Sequence, residues 1–559
     1  MATKAAAAKI PPTHCHHGTA THGASLRGFW WVQHSKHPIE LPAEIRGLQG
    51  AVELQGRFGR LFPNIVGAQF GDAPEQSKQN LEKLGTLMTA SPDPAKDGPD
   101  PEESGIPALY TYFGQFVDHD LTFDPNSSLQ KQNDPYALVD YRTPAFDLDN
   151  IYGRGPSDQP YLYTHAPDSP CGPLHYFLLG NKLTGGDLGA HDLPRNSASP
   201  ARALIGDPRN DENGIVSQLQ GLFLRFHNRM MAEHAHKSSF EEVQRFVRFH
   251  YQYIVLHDFL PQIVDAKVLD ELASGHHPTH RRVRHYDRSK LKFFNGNNRY
   301  MPVEFSAAAY RLGHSMVRPG YRLNDDDDTL RPIFDGVSNK DLRGFQAVPE
   351  RFGIDWGRFI DMAPPRPDNG SKTAKKNRLQ FAYKIDTSLV DPLGHLPLIV
   401  ASDPPPSLAQ RNLVRGFELG LPSGQNVARA MGITPLEDKD IWIGKAGERH
   451  VSIIDALAKD KNAGKDVARH FEGNCPLWTY ILAEAMHYQK DVPLTVKGKY
   501  MTRETPMLGP VGGRIVAEVI LGLMFGDPSS LLSQDPKWMP ARGADYRLRN
   551  FVEFALQEV

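Results

Sequence analysis

The sequence is poor in the features that most readily identify a protein. Only three of its 559 residues are cysteine, and Cys15, Cys171 and Cys475 lie far apart. That count argues against a disulfide framework and against a cysteine-rich zinc site. No run of about 18 apolar residues occurs, the length a membrane-spanning helix needs. The best stretch, residues 515–525, contains Glu518 and reads as a buried helix. Excess charge is absent as well: 63 basic and 65 acidic residues leave a formal net charge of −2. Nothing electrostatic therefore points to a nucleic acid or an anionic membrane as partner. The opening MATKAAAAKIPPTHCHHG has no apolar h-region, so a cleaved export signal is not expected. A soluble protein is expected, with secreted and cytoplasmic locations both left open. The H-E-x-x-H, G-x-S-x-G, P-loop and dinucleotide-binding patterns are missing too; GHSMV at 313–317 and GLPSG at 420–424 fail the hydrolase pattern.

What is present suits a large enzyme. Hydrophobic residues make up 40% of the chain, enough for an extensive core. Residues 1–55 read as an N-terminal extension and 56–559 as one catalytic domain. In the extension, His14, Cys15, His16, His17 and His22 are either metal ligands or part of a flexible leader, the commoner state of a terminus. Proline, aspartate and glycine punctuate residues 88–104, and the basic stretch 371–380 reads as a solvated loop. Apolar spacings of three and four predict helices over 108–121, 214–236, 239–259, 302–316, 466–488 and 514–524. Ser238 or Ser239 ahead of Glu241 and Glu242 suits a helix start. Alternating strand patterns are few. The predicted fold class is mainly α: a single large domain with few short strands and long ordered loops, implied by 48 glycines and 45 prolines.

Four segments stand out chemically. GQFVDHDLTF, residues 114–123, sets Gln115 and His119 on one helix face, with Asp118 and Asp120 beside them. Such groups are costly to bury without partners; alone, the segment reads equally as a polar surface patch. TPAFDLDNIYG, residues 143–153, strings oxygen donors from Thr143, the Ala145 carbonyl, Asp147 and Asp149, a run that suits a hard cation such as calcium but that, taken alone, reads better as an Asx-rich turn. GDPRNDENG, residues 206–214, offers Arg209 to a developing oxyanion, or is simply a charged loop before a helix. AAAYRLGHSMVRPG, residues 307–320, sets His314 in an apolar segment, where a satisfied core histidine is the commoner finding. Gly313 beside it leaves room for a flat cofactor, and Arg311 could hold a carboxylate.

In order and in local sequence these segments resemble the animal-type haem peroxidases of the peroxidase–cyclooxygenase superfamily, most of all its bacterial members. The resemblance runs from RFGRLFP at 57–63 through LGLPSGQ at 419–425, CPLWTYILAEA at 475–485 and GPVGGRIVAEVILGL at 509–523 to FVEFALQ at 551–557. It implies haem b as cofactor, with His119 as distal acid–base, Gln115 positioning water or a small anion, Arg209 as distal arginine, His314 as iron ligand and Arg311 pairing with a propionate. Asp118 and Glu212 match the carboxylates that form ester bonds to haem during turnover. Asn213 replaces the methionine that adds a sulfonium link in one mammalian subgroup, so that link is not expected. Asp120, Thr143, Ala145, Asp147 and Asp149 match a calcium site. The family pairs the proximal histidine with an asparagine; anchoring on Pro422 places Gln425 there, with Asn426 as its neighbour.

The activity implied is reduction of hydrogen peroxide through an oxoferryl intermediate, with oxidation of small organic donors or halides, as in a response to oxidative stress. Two alternatives stand beside it. A fatty-acid dioxygenase of the same superfamily would carry tyrosine three residues before His314, where this chain has Arg311; Tyr310, one residue off, is expected to face elsewhere. A non-catalytic haem-binding protein would not need His119, Arg209 and Gln115 together.

Overall fold

Helix starts in this chain are set by side chains. Ser239 accepts the Glu242 N–H at 3.3 Å, while the Glu242 carboxylate accepts the Ser239 N–H at 2.9 Å. This reciprocal cap opens the helix Phe240–Ile254. Asn213 opens Gly214–His234 by accepting from Ile215 and Val216 N–H. Both helices begin within a residue of their predicted starts. The computed structural model describes residues 56–557 apart from 93–99, 123–138, 141–142, 170–171, 188, 236, 298, 328, 336–339, 363–378, 399, 402–403 and 497–498, together with strand segments at 29–31 and 51–53. The histidine-rich head, Cys15, Cys171 and most of the basic stretch 371–380 lie outside the described residues.

Helices dominate, as predicted, and the strands of the described residues form seven two-stranded sheets and one three-stranded sheet. The longest pairing joins Gln489–Val496 to Lys499–Pro506. Buried apolar residues from Phe58 to Ala555 make one contiguous core. Aromatic rings pack around the helix Leu109–Leu121: Phe116 stacks on Phe223 at 4.2 Å, Phe223 meets Phe551 at 4.5 Å, and Phe113 meets Tyr251 edge-on at 6.1 Å. Burial of each such ring contributes roughly 1.5–3 kcal/mol. These contacts fix the rotation of the helix that carries Gln115 and His119. No helix among the described residues is long and apolar enough to cross a membrane.

Three predicted helices differ. The expected 302–316 helix is a short α-turn, Val303–Ser306, followed by a 3₁₀ run, Ala309–His314. The Ser306 carbonyl is taken by the Arg311 guanidinium at 3.1 Å, and Ala308 has non-helical backbone angles. The expected 466–488 helix breaks at Gly473, whose φ is +59°, and at Pro476, and resumes as Leu477–Ala485. The expected 514–524 helix begins earlier, at Pro510, because the Glu484 carboxylate accepts the otherwise unpaired N–H groups of Val511 and Gly512. Cys475 is buried and carries a free thiol.

Candidate active site

A cavity of about 720 Å³ opens beside the Leu109–Leu121 helix. Gln115, Asp118, His119, Arg209, Glu212, Asn213, Arg311, Gly313 and His314 all border it. Residues from three distant stretches of chain thus converge. The volume suits a flat cofactor, within the roughly 300–1,000 Å³ of small-molecule sites. A Cβ added at Gly313 would meet no atom within 4 Å, so the chain leaves open space beside His314.

Each histidine is held at Nδ1 by a buried asparagine. His119 Nδ1 lies 2.7 Å from Asn210 Oδ1. Asn210 in turn donates through Nδ2 to Gln220 Oε1 at 2.8 Å, which orients its oxygen toward the ring. His119 Nδ1 therefore carries the proton, and Nε2 keeps its lone pair. Glu212 Oε1 stands 3.6 Å from that nitrogen. On the other segment, the Asn412 side-chain amide lies 2.7 Å from His314 Nδ1. Arg311 Nη1 reaches the same amide, 3.3 Å from Oδ1. Burial and the Arg311 charge push His314 down to about 3, so the imidazole is neutral.

Asn412, not the expected Gln425 or its neighbour Asn426, meets His314. Gln425 sits in the helix Gly424–Ala430, where it donates to Asp438 at 3.2 Å and accepts the Cys475 N–H at 2.8 Å. Asn426 is exposed and accepts from Arg429. Neither is hydrogen-bonded to His314. The helix Leu408–Glu418, before the LGLPSG turn, supplies the amide instead. Asn412 and Asn210 both escaped the reading of the sequence. A signal for Asn412 existed, since it falls among Ala409 and Leu413 on the buried face of an amphipathic helix. Tyr310 also departs from expectation. It borders the cavity rather than facing elsewhere, because a 3₁₀ run turns about 120° per residue and spreads neighbours differently from an α-helix.

Carboxylates and cations share the cavity wall. Gln115 donates to Glu212 Oε1 and accepts from Asn213 Nδ2 at 3.3 Å. Burial pushes Glu212 up to about 7, against the lowering effect of Arg209, and burial raises Asp118 also. Arg209 pairs with Asp207 at 2.8 Å and donates to the carbonyls of His119 and Thr122. It thereby clamps the C-terminal end of the Leu109–Leu121 helix.

Next to that end, Asp120, Asp147 and Asp149 are buried, with one oxygen of each within 4.8 Å of the others. Burial, with the Asp149 charge, pushes Asp147 up to about 7. The Thr143 hydroxyl is buried with no hydrogen-bond partner among the described residues. Three buried carboxylates and an unsatisfied hydroxyl fit a hard divalent cation, which would offset their repulsion.

Residues 126–343 match the family described as animal haem peroxidase. Thyroid peroxidase of Homo sapiens is 24% identical over 312 residues, covering 53% of this chain and 30% of its own length; the chain thus spans less than a third of that relative. Among solved structures, peroxidase A of Dictyostelium discoideum aligns with a TM-score of 0.50 at 14% identity, over 91% of this chain and 95% of that one, a likeness of fold. A fatty acid alpha-dioxygenase variant of Oryza sativa with palmitic acid aligns over 95% and 86% at 14% identity, TM-score 0.49.

Proposed function

We propose that this chain, whose residues 126–343 match the animal haem peroxidase family, reduces hydrogen peroxide at a haem b held in the cavity and oxidises small organic donors or halides. One observation carries the reading: His119 and His314 border the same cavity, and each has its Nδ1 engaged by an asparagine. Bound there, haem would supply the redox chemistry, taking oxidising equivalents from peroxide and passing them to a donor.

The chain's own residues do the rest. His314 would offer Nε2 to the iron, with its ring held at Nδ1 by the Asn412 side-chain amide. That contact fixes the orientation of the ligand. Arg311 would pair with a propionate. Neutral His119 takes the proton from the nearer peroxide oxygen at Nε2 and returns it to the farther one. Arg209 stabilises the charge that develops as the O–O bond parts, and Gln115, held by Glu212 and Asn213, positions water or a small anion. Asp118 and Glu212 stand ready as ester-forming carboxylates. Calcium held by Asp120, Thr143, Ala145, Asp147 and Asp149 would tie the end of the distal helix to the following loop and keep His119 in register.

The test is stopped-flow absorbance of haem-loaded protein with one equivalent of peroxide. The Soret band of the unmodified protein changes within milliseconds. His119→Ala still binds haem but reacts about 10²- to 10⁴-fold more slowly, the usual worth of a general acid–base group; an unchanged rate refutes the assignment. Fatty-acid dioxygenation is the second reading, favoured by Tyr310 on the cavity wall and opposed by Arg311 three residues before His314. Oxygen uptake with linoleate and trace peroxide separates the two.

A further inference from the structure

Three tyrosines border the cavity, Tyr110, Tyr112 and Tyr310, and their hydroxyls are treated differently. The Tyr310 ring stacks on Phe305, and its hydroxyl has no hydrogen-bond partner among the described residues. Tyr112 packs edge-on against Tyr321, another phenol. Of the three, Tyr110 alone donates to a carboxylate: its hydroxyl lies 2.7 Å from Asp258 Oδ2, and both residues are buried.

The position of Asp258 is itself unusual. It stands in a π-helical turn, Val255–Phe259, that follows directly on the α-helix Phe240–Ile254. Single π-turns of this kind occur frequently at functional sites. Here the turn presents Phe259 to the cavity and Asp258 to Tyr110. The same Oδ2 accepts the Leu548 N–H at 2.8 Å, so the carboxylate is held in place from the far side. Burial raises its pKa, opposed by the hydrogen bonds from Leu548 and Tyr110 and by the charges of Arg547 and Arg282. Burial and Asp258 hold the phenol well above its ordinary value, so the proton stays on Tyr110 in the resting protein.

A phenol becomes strongly acidic once an electron leaves it. In a buried site, keeping the proton would leave an unpaired cation, which is costly. A carboxylate at hydrogen-bond distance removes that cost. We propose that Tyr110 is redox-active, giving one electron to the peroxide-oxidised haem and its phenolic proton to Asp258. The Tyr110 O–H bond breaks, an O–H bond forms on Asp258, the cofactor gains one electron, and a neutral tyrosyl radical remains. A one-electron donor later returns the electron, and the proton moves back. Tyr112 and Tyr310, without a carboxylate, have no such outlet. The inference rests on the peroxidase reading and adds a second place where an oxidising equivalent is stored.

The test is rapid freeze-quench electron paramagnetic resonance on haem-loaded protein mixed with one equivalent of hydrogen peroxide, with absorbance followed in parallel. The unmodified protein shows a free-radical signal that narrows when the tyrosines are ring-deuterated. Tyr110→Phe, which removes one oxygen and keeps the ring packing, abolishes that signal and leaves the Soret response intact. Asp258→Asn keeps a hydrogen-bond acceptor but not a base, and lowers the radical yield by more than about tenfold, since each unit of lost acceptor pKa is a factor of ten. An unchanged tyrosyl signal in Tyr110→Phe, or no tyrosyl signal from a protein whose Soret band does respond, overturns the proposal. Absence of any Soret response in the unmodified protein overturns the peroxidase reading instead.

Discussion

Replacing Asn412 by leucine, a side chain of similar size, tests the proximal side directly. The amide stands between His314 Nδ1 at 2.7 Å and Arg311 Nη1 at 3.3 Å. Leucine leaves both nitrogens facing an apolar group, and each buried unsatisfied polar group costs about 1–3 kcal/mol. A stability loss of roughly 2–6 kcal/mol is therefore expected before cofactor binding is considered. For the cofactor, losing the group that orients a metal-bound imidazole typically costs about 10- to 100-fold in affinity, equivalent to about 1.4–2.7 kcal/mol. The assay is haem titration by Soret absorbance, with the reduction potential of the loaded protein measured alongside. Gln425→Leu is the control. Gln425 holds Asp438 and the Cys475 backbone, so its loss lowers stability but leaves haem affinity and potential nearly unchanged. Equal affinities and potentials for Asn412→Leu and the unmodified protein would refute the pairing; a shift confined to Gln425→Leu would restore the expectation drawn from Pro422.

Other consequences are open to measurement. Calcium at about 100 times its Kd should stabilise the protein by about 2.7 kcal/mol, seen as a rise in Tm that chelation reverses; Asp147→Asn should blunt the response, and indifference of both proteins to chelator would count against the site. His257 is buried, and burial pushes it down to about 3, so the folded state takes up its proton later than the unfolded state. Its contribution is complete above the unfolded pKa near 6.5 and is lost as pH falls toward the folded value, at about 1.4 kcal/mol per pH unit. Urea melts of His257→Phe and the unmodified protein should therefore move in favour of the variant by roughly 3 kcal/mol between about pH 6.5 and pH 4; a constant difference would show that His257 does not titrate this way. After repeated peroxide turnover, haem should stay covalently on peptides containing Asp118 and Glu212, and Glu212→Gln should leave one attachment; complete extraction of free haem by acidified solvent would rule the esters out.

Much of the architecture was legible in local patterns. Apolar spacing, with the Ser239 cap for the second, placed two long helices to within a few residues, because capping and amphipathicity act over one or two turns. The four-residue spacing of Gln115 and His119 on the helix Leu109–Leu121 put both at one cavity for the same reason. The acidic run from Thr143 to Asp149 announced a cluster of oxygen donors, and Asp120 was attached to it only by family likeness. Where long apolar patterns crossed Gly473 and Pro476, periodicity outweighed the breakers, and the predicted helix was too long.

The remaining details belong to tertiary structure. Asn412 is 98 residues from His314, and Asn210 is 91 from His119; no spacing rule joins such pairs, and whole helices must pack before either amide meets its ring. Tyr310 reached the cavity wall because Arg311 captured the Ser306 carbonyl and the segment tightened to a 3₁₀ run. Tyr110 met Asp258, 148 residues away, across a π-turn that local spacing does not announce. Sequence alone determined which groups with the chemistry of a haem site were present and which helix faces they shared, since both follow from residue type and a short-range period. Packing decided which nitrogen of each histidine an asparagine engages, because that depends on a single hydrogen bond made across the core.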